Sequence, residues 1–203
     1  MADLLADLSP DERARAQSKR TTEAAHAYAA AHAGLRRVLG VELGVEPASV
    51  AISHTAHPHG KPTLVDGGEL HFNLSHTHGL ALVTLARGVE VGIDVEWLGR
   101  RVRTEALAGS LFTAAEREEL ARAPDAERDR CFLQLWTRRE AYAKMTGEGL
   151  SRAAARGDDP DNSEAGAPFE GPRARLMDLD LGETHVGALA VEEPPIPRSP
   201  PDR

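Results

Sequence analysis

Two acidic side chains in a short strand-like segment have the types and the spacing of a metal site. Residues 89–95 alternate apolar and polar side chains, and this period of two predicts a β-strand. Gly92, Asp94 and Glu96 then share one face, with the carboxylates roughly 7 Å apart along the chain. Such oxygen ligands suit a hard cation such as Mg²⁺, with Mn²⁺ as a possible substitute. The spacing is equally typical of the solvated face of an edge strand, so the pair alone leaves both interpretations open.

A second set of charged side chains lies in residues 129–145, where the sequence predicts a long amphipathic helix ended by Gly147 and Gly149. Trp136, Glu140 and Lys144 stand at positions i, i+4 and i+8 and form one stripe. Glu140 supplies a third carboxylate if this helix packs beside the strand. The alternative is an ordinary Glu–Lys helix pair, which is worth only ~0.2–0.5 kcal/mol.

Two further segments carry candidate phosphate ligands. Ser75 and His76 precede an apolar run, residues 80–86, that is predicted to be a strand, and both can donate hydrogen bonds to a phosphate. Lys61 and Pro62 place one cation in a rigid turn. A serine hydrolase is disfavoured, because neighbouring side chains on an extended chain face opposite ways and no Gly-x-Ser-x-Gly elbow is present.

Zinc is the rival interpretation of a group of histidines in the same region. No His-Glu-x-x-His motif is present, and the single cysteine, Cys131, is remote in sequence, so a zinc site is disfavoured. Most of these histidines are expected on the surface or in loops. They are His54, His57, His59, His71, His76 and His78.

The elements that position these groups are predicted from capping signals and periodicity. Ser9, with Glu12 three residues later to complete a capping box, caps a helix that continues to about residue 39, with a break near residues 19–22. Gly40 and Gly44 are expected to end it.

In the second half, Thr113 and Glu116 form a predicted capping box at the start of a helix. Residues 151–172 are expected to form a mobile loop, and residues 175–181 and 185–191 to pair as a hairpin.

Composition narrows the function classes. The chain has 203 residues, 41% of them hydrophobic, which fits one large domain or two small packed halves. The net charge of -8 argues against binding nucleic acid or an anionic membrane through bulk charge. No apolar run approaches the ~20 residues of a membrane span, and one cysteine allows no intrachain disulfide. The expected setting is the cytoplasm, and the Pro-rich residues 194–203 are expected to be disordered.

Taken together, five segments resemble the surfactin-synthetase-type phosphopantetheinyl transferases. Order and spacing agree over roughly residues 9–150, with a weaker match near residues 175–191. Each motif is common alone, whereas five in register are specific. The segments are Gly60-Lys61-Pro62, Phe72-Asn73-Leu74-Ser75-His76, Gly92-Ile93-Asp94-Val95-Glu96, Phe112-Thr113-Ala114-Ala115-Glu116, and Trp136-Thr137-Arg138-Arg139-Glu140-Ala141 followed by Lys144 and Gly147-Glu148-Gly149-Leu150.

The resemblance implies an α+β fold of two similar halves, residues 1–98 and 99–193, with coenzyme A in the cleft between them. It implies that a serine of an apo acyl or peptidyl carrier protein attacks the β-phosphate of coenzyme A and displaces adenosine 3′,5′-bisphosphate. The metal ligands would be Asp94, Glu96 and Glu140, with Lys144 on the adjacent phosphate. Glu140 is the first choice as general base and Glu116 the second. The implied coenzyme-binding residues are Arg13, Arg15, Lys61, Pro62, Ser75, His76, Arg139 and Lys144.

Two positions depart from the family pattern. Arg139 stands where the family usually has lysine, and a planar guanidinium binds phosphate differently from an ammonium. Ala27 stands where family members often carry arginine in the N-terminal helix, so Lys19 or Arg20 would have to supply that contact. Both departures bear on the affinity for coenzyme A and not on the type of reaction.

Two other functions stay open at this point. One is a metal-dependent pyrophosphohydrolase that cleaves coenzyme A with water, although no Arg-Glu-x-x-Glu-Glu box is present. The other is a non-catalytic module that binds a carrier or a nucleotide. The expected partners are carriers of fatty-acid, polyketide or nonribosomal peptide synthesis, the last two belonging to secondary metabolism, and a monomer is expected. The cluster Arg100, Arg101 and Arg103 is either a docking patch for such acidic carriers or plain solvated charge.

Overall fold

The computed structural model describes residues 1–54, 60–100, 104–149 and 172–193. The predicted tail and, apart from Pro172, the predicted loop 151–172 lie outside the described residues, as do His57, His59, Arg101 and Arg103. Over the described ranges, no helix combines the length and the apolarity that crossing a membrane requires.

Three helices open the chain, and their boundaries follow the capping signals. Ser9 and Glu12 form the expected capping box at the second helix. The break near residues 19–22 is confirmed, because Thr21 caps the third helix anew through the Ala24 N–H. The first helix was not predicted. The helices are α1 (Ala2–Asp7), α2 (Pro10–Gln17) and α3 (Thr22–Leu43), followed by a 3₁₀ turn at Pro47–Ser49.

Of the two glycines expected to end α3, only one does so. Gly44 is the left-handed C-cap, with φ 68°. The prediction for Gly40 was wrong, because this residue lies inside the helix. A Cβ at Gly40 would lie 2.7 Å from the Val45 carbonyl oxygen, so glycine here allows the chain that leaves α3 to fold back closely.

The described strands are all antiparallel and form three small sheets. One hairpin pairs the third and fourth strands, and a three-stranded sheet has the order fifth, seventh, sixth. The predicted hairpin of the last two strands is confirmed. The strands are β1 (Ile52–Ser53), β2 (Thr63–Leu64), β3 (Leu70–Thr77), β4 (Leu80–Arg87), β5 (Val91–Trp97), β6 (Ala174–Leu179) and β7 (His185–Glu192).

Strands β3 and β5 meet through side chains instead of a backbone ladder. The Ile93 N–H donates to Asn73 Oδ1 at 3.0 Å, and the Val95 N–H donates to Ser75 Oγ at 3.3 Å. These bonds satisfy backbone groups on β5 that its pairing with β7 leaves unused. They also fix the candidate phosphate-binding segment against the acidic strand.

The second half of the chain adds further helices, and the longest of them packs on the three-stranded sheet. The Thr113–Glu116 capping box is confirmed, and the longest of these helices ends, as predicted, at the left-handed Gly147 with φ 70°. The helices are α4 (Thr104–Leu111), α5 (Ala114–Arg122) and α6 (Arg128–Thr146), with a 3₁₀ turn at Asp125–Glu127 before α6.

Small side chains form the contact between α6 and the sheet. Ala141 and Ala143 of α6 share a buried cluster with Ala188 and Ala190 of β7. Alanine on both sides lets a helix approach a sheet closely, which determines how far the α6 side chains reach past β5. The mixture of helices with antiparallel sheets confirms the α+β fold class.

Candidate active site

Helix α6 approaches the backbone of β5 closely at Gly92, two residues before Asp94. A Cβ at this position would lie 2.0 Å from the Ala141 carbonyl oxygen and 2.4 Å from the Met145 nitrogen. Only glycine fits there, so α6 lies directly on the strand backbone. Glu140 and Lys144 flank this contact on α6, and the contact brings them beside the acidic face of β5.

These side chains border one cavity of about 590 Å³ between α3, β3, β5 and α6. Asp94 and Glu96 enter from β5, and Glu140 and Lys144 from α6. The structure therefore brings together the three carboxylates and the lysine that sequence analysis placed in one site. The other lining residues used below are Glu12, His32, Pro62, Ser75, His76, Arg100 and Trp136.

Asp94 is the most buried of the carboxylates, with 6% of its surface exposed. Its Oδ1 accepts hydrogen bonds from Lys144 Nζ at 2.6 Å and from Ser75 Oγ at 2.9 Å. Lys144 Nζ also donates to Ser75 Oγ at 3.0 Å. Among the described residues, the buried Oδ2 of Asp94 has no hydrogen-bond partner. Oδ1 of Asp94 is thus fixed by two hydrogen bonds, while Oδ2 is available to bind a ligand.

Glu140 is held in an environment that favours its protonated form. Burial, followed by the negative charge of Asp94, raises its pKa to about 7; Lys144 lowers the pKa and Glu96 raises it, both by less than Asp94 does. Glu96 is partly neutralised by Arg100, whose Nη1 donates to Glu96 Oε1 at 2.6 Å. Glu140 thus faces two carboxylates that each have a cationic partner, Lys144 for Asp94 and Arg100 for Glu96.

The three carboxylates are ligands that suit a hard divalent cation, but their oxygens are further apart than they would be around a bound ion. No three acidic, histidine or cysteine side chains of the described part are already gathered at ligating distance. Two observations nevertheless favour a cation: the orphaned, buried Asp94 Oδ2, and the pKa of Glu140, which burial and then the charge of Asp94 raise so that its proton is retained up to about pH 7. A divalent ion would satisfy that oxygen and replace that proton.

Comparison with known proteins identifies the family. A family model described as the 4'-phosphopantetheinyl transferase superfamily matches residues 90–178. The 4'-phosphopantetheinyl transferase HetI of Nostoc sp. is 35% identical over 194 residues, which are 94% of this chain and 81% of that protein. The chain belongs to the 4'-phosphopantetheinyl transferase superfamily.

Further members of the superfamily cover less of the chain. The 4'-phosphopantetheinyl transferase of Bacillus subtilis is 30% identical over 149 residues, 73% of this chain and 64% of that protein. A putative 4'-phosphopantetheinyl transferase of Synechocystis sp. is 30% identical over 146 residues, 71% of this chain and 58% of that protein. The superfamily match includes Asp94, Glu96, Glu140 and Lys144, and it begins after the segment that contains Ser75 and His76.

Arg139 of α6 and Glu116 of α5, two of the predicted site residues, form an ion pair with each other. Arg139 is buried, and its guanidinium donates to both oxygens of Glu116, with Nε contacts of 2.9 and 3.0 Å. Glu116 also accepts from the Thr113 N–H at 2.7 Å. Neither residue is among the described residues that line the cavity. In this geometry the pair connects α5 to α6.

Lys61 and Pro62 both line a smaller cavity beside the end of α6, but only Pro62 also borders the main cavity. Pro62 lines the cavity, whereas Lys61 is 6% exposed and directs its ammonium away from open solvent. Lys61 Nζ donates to the Met145 carbonyl oxygen at 2.6 Å, to the Val91 carbonyl oxygen at 3.2 Å and to Glu90. The lysine thus ties the end of α6 to the start of β5.

The predicted basic residues of the N-terminal region occupy different places. Arg13 and Arg15 are exposed on α2 and are not among the described residues that border the cavity. His76 does border it and approaches His32 edge to face, with ring centroids 6.4 Å apart. Lys19 lies over the Tyr28 ring, 4.7 Å from its centroid.

Sequence reasoning missed two groups at this site. His32 and Glu12 line the cavity, and Glu12 was considered only as a capping residue. Glu12 also accepts from the buried Arg36 Nε at 2.5 Å, and Arg36 donates to the Val50 carbonyl oxygen at 3.0 Å. Burial opposes ionisation, but bonds from His32, Ser9 and Arg36 outweigh it and lower the pKa of Glu12 to about 2. The rings of Tyr28 and His32 stack on each other. Their spacing of four residues places them on one face of a helix, and this was the signal in the sequence that could have drawn attention to His32.

Proposed function

We propose that this protein transfers the 4'-phosphopantetheine group of coenzyme A to a serine of an apo acyl or peptidyl carrier protein, releasing adenosine 3′,5′-bisphosphate. The observation that carries the proposal is the cavity shared by Asp94, Glu96, Glu140 and Lys144 in a member of this superfamily. The relatives bear the name of this activity, which supports the same reaction here.

The shape of the site supports an elongated ligand. The main cavity shares His76 and Thr77 with a second cavity of about 590 Å³ between α3 and the β3–β4 turn. It shares Pro62, Glu140 and Lys144 with a third cavity of about 240 Å³ beside the end of α6. Coenzyme A has a nucleotide at one end and a thiol arm at the other, so linked cavities on both sides of the acidic centre suit it. The proposed cleft lies between the halves 1–98 and 99–193.

Magnesium is the proposed metal, held by Asp94, Glu96 and Glu140, and Mn²⁺ would substitute for it. When bound, the ion would supply Lewis-acid stabilisation of the negative charge that develops on the diphosphate. The orphaned Asp94 Oδ2 and the raised pKa of Glu140 support this assignment.

The chain's own side chains account for the proton and charge movements. The serine oxygen forms a bond to the β-phosphorus while the bond from that phosphorus to the bridging oxygen breaks. The serine proton passes to a carboxylate oxygen of Glu140, the first choice as general base. Lys144 Nζ, anchored on Asp94, offers its remaining donor capacity to the departing phosphate. Glu116 is the weaker candidate base because its oxygens are occupied by Arg139 and Thr113.

The narrower assignments also belong to this proposal. They are surfactin-synthetase-type specificity, carriers of polyketide or nonribosomal peptide synthesis in secondary metabolism, a cytoplasmic setting and a monomeric state. The net charge of -8 supports a partner that is neither nucleic acid nor an anionic membrane. Arg100, half exposed at the rim of the cavity, is the member of the proposed docking patch that the described residues include.

Mass spectrometry of carrier proteins tests the function. The protein is incubated with coenzyme A, Mg²⁺ and a panel of apo acyl and peptidyl carriers, with Glu140→Gln as the matched control. We expect at least one carrier to gain one phosphopantetheine group with the wild-type protein and much less with the control. Unmodified carriers together with cleaved coenzyme A would instead establish the hydrolase, and binding without any turnover would establish the non-catalytic module.

A further inference from the structure

The hydroxyl of Ser75 has no hydrogen-bonding capacity left for a ligand. A serine hydroxyl offers one donor and two acceptor lone pairs. Ser75 Oγ donates to Asp94 Oδ1 at 2.9 Å, and it accepts from Lys144 Nζ at 3.0 Å and from the Val95 N–H at 3.3 Å. Ser75 as a whole is 6% exposed. A phosphate oxygen, which only accepts, could bind this hydroxyl only if the bond to Asp94 were broken.

The position of Ser75 determines which oxygen of Asp94 remains available. Ser75 Oγ and Lys144 Nζ both donate to Oδ1, and this leaves Oδ2 buried without a partner among the described residues. Because Ser75 also holds the Val95 N–H, it joins the side chain of Asp94 to the backbone one residue further along β5. The carboxylate plane is therefore fixed by a bond from a neighbouring strand.

We propose that Ser75 is a positioning residue: it orients Asp94 so that Oδ2 faces the metal, and it aligns Lys144 beside it, without touching coenzyme A. This inference rests on the proposed function, since it concerns the same metal site. It assigns Ser75 a role other than the coenzyme contact that the resemblance implies. Hydrogen-bond partners of metal-binding carboxylates typically change metal affinity about 10- to 100-fold when removed.

Asn73 provides a matched control on the same strand. Its Oδ1 accepts from the Ile93 N–H at 3.0 Å, two residues before the bond from Val95 to Ser75. It is 4% exposed, comparable with Ser75. Asn73→Ala thus removes an equivalent buried bond between β3 and β5, but the lost bond does not involve Asp94 or Lys144.

Two binding measurements on the protein separate the roles. Mn²⁺ binding is titrated by electron paramagnetic resonance without coenzyme A, and coenzyme A binding is titrated by calorimetry in EDTA. For Ser75→Ala we expect about a 10-fold weaker Mn²⁺ affinity and an unchanged coenzyme A affinity. Ser75→Thr, which keeps a hydroxyl on a side chain suited to a strand, is expected to restore most of the Mn²⁺ affinity. Asn73→Ala is expected to lower the melting temperature without changing Mn²⁺ affinity.

The outcomes distinguish this inference from the proposed function. If wild-type protein binds Mn²⁺ and Ser75→Ala binds it equally well, the positioning role is wrong while the metal site stands. If Ser75→Ala instead weakens coenzyme A binding in EDTA, Ser75 contacts the coenzyme and the inference is overturned. Absence of Mn²⁺ binding by the wild-type protein would refute the proposed metal site itself.

Discussion

Replacing Gly92 by alanine is the perturbation that the geometry of this site predicts most sharply. The added Cβ would lie 2.0 Å from the Ala141 carbonyl oxygen, 2.4 Å from the Met145 nitrogen and 2.9 Å from the Met145 Cα. All three atoms belong to the backbone of α6, so no side chain can rotate away. The whole helix has to retreat from β5.

The size of the retreat follows from these distances. Ordinary van der Waals contact begins at 3.4 Å, so the Ala141 carbonyl must move by about 1.4 Å. Overpacking of this kind costs about 1–3 kcal/mol and occasionally more, and we expect the upper end because the obstacle is backbone. A shift of about 1 Å in catalytic groups can lower a rate ~10²-fold. The Lys144–Asp94 bond of 2.6 Å would break with it.

The assay combines urea unfolding with the rate of carrier modification at saturating coenzyme A and Mg²⁺. Gly34→Ala is the control, since Gly34 lies inside α3 and a Cβ there meets nothing within 4 Å. Removing a helical glycine should stabilise the protein by about 0.5–1 kcal/mol and leave the rate unchanged. Wild-type stability and rate in Gly92→Ala would refute the reasoning, because α6 could not then press against β5.

Three further predictions follow from the charged groups. Glu140→Gln lowers the transfer rate about 10²–10⁴-fold, yet in metal-free buffer at pH 8 it melts at a higher temperature than wild type. The pKa of Glu140 is about 7 in the folded protein, above its ordinary value of 4.5. Wild-type stability therefore falls as the pH rises from 4.5 to 7, and the variant's advantage shrinks at pH 5. The pH dependence that Glu12 gives to stability has the opposite sign. Because folding lowers the pKa of Glu12 from 4.5 to about 2, its carboxylate stabilises the folded protein above pH 4.5, and this stabilisation is lost as the pH falls towards 2. Urea unfolding at pH 7 and pH 3 should therefore show a larger loss for wild type than for Glu12→Gln. Arg139→Leu removes the cationic partner of Glu116 and should lower the unfolding free energy by about 3 kcal/mol. Steady-state kinetics should show an unchanged KM for coenzyme A. A raised KM with normal stability would instead favour a direct contact between Arg139 and coenzyme A.

Local signals in the sequence predicted the elements that carry the site. Alternation placed Asp94 and Glu96 on one face of β5, and both border the cavity. The 3.6-residue period placed Glu140 and Lys144 in one stripe of α6, and both border it as well. These predictions succeed because each depends only on residues within a few positions of one another.

Contacts between distant residues were beyond such reasoning. The bond from the Val95 N–H to Ser75 spans 20 positions, and it joins strands that do not form a ladder. The pair of Arg139 with Glu116 spans 23 positions, and no local pattern distinguishes it from a phosphate contact. Gly92 did carry a signal, because a glycine inside a strand indicates that another backbone approaches closely.

The most direct test of the proposed site is anomalous diffraction from crystals grown with Mn²⁺ and coenzyme A. We predict a single strong peak at about 2 Å from oxygens of Asp94, Glu96 and Glu140, beside the coenzyme diphosphate. A peak elsewhere in the protein, or a diphosphate bound away from these carboxylates, would contradict the account.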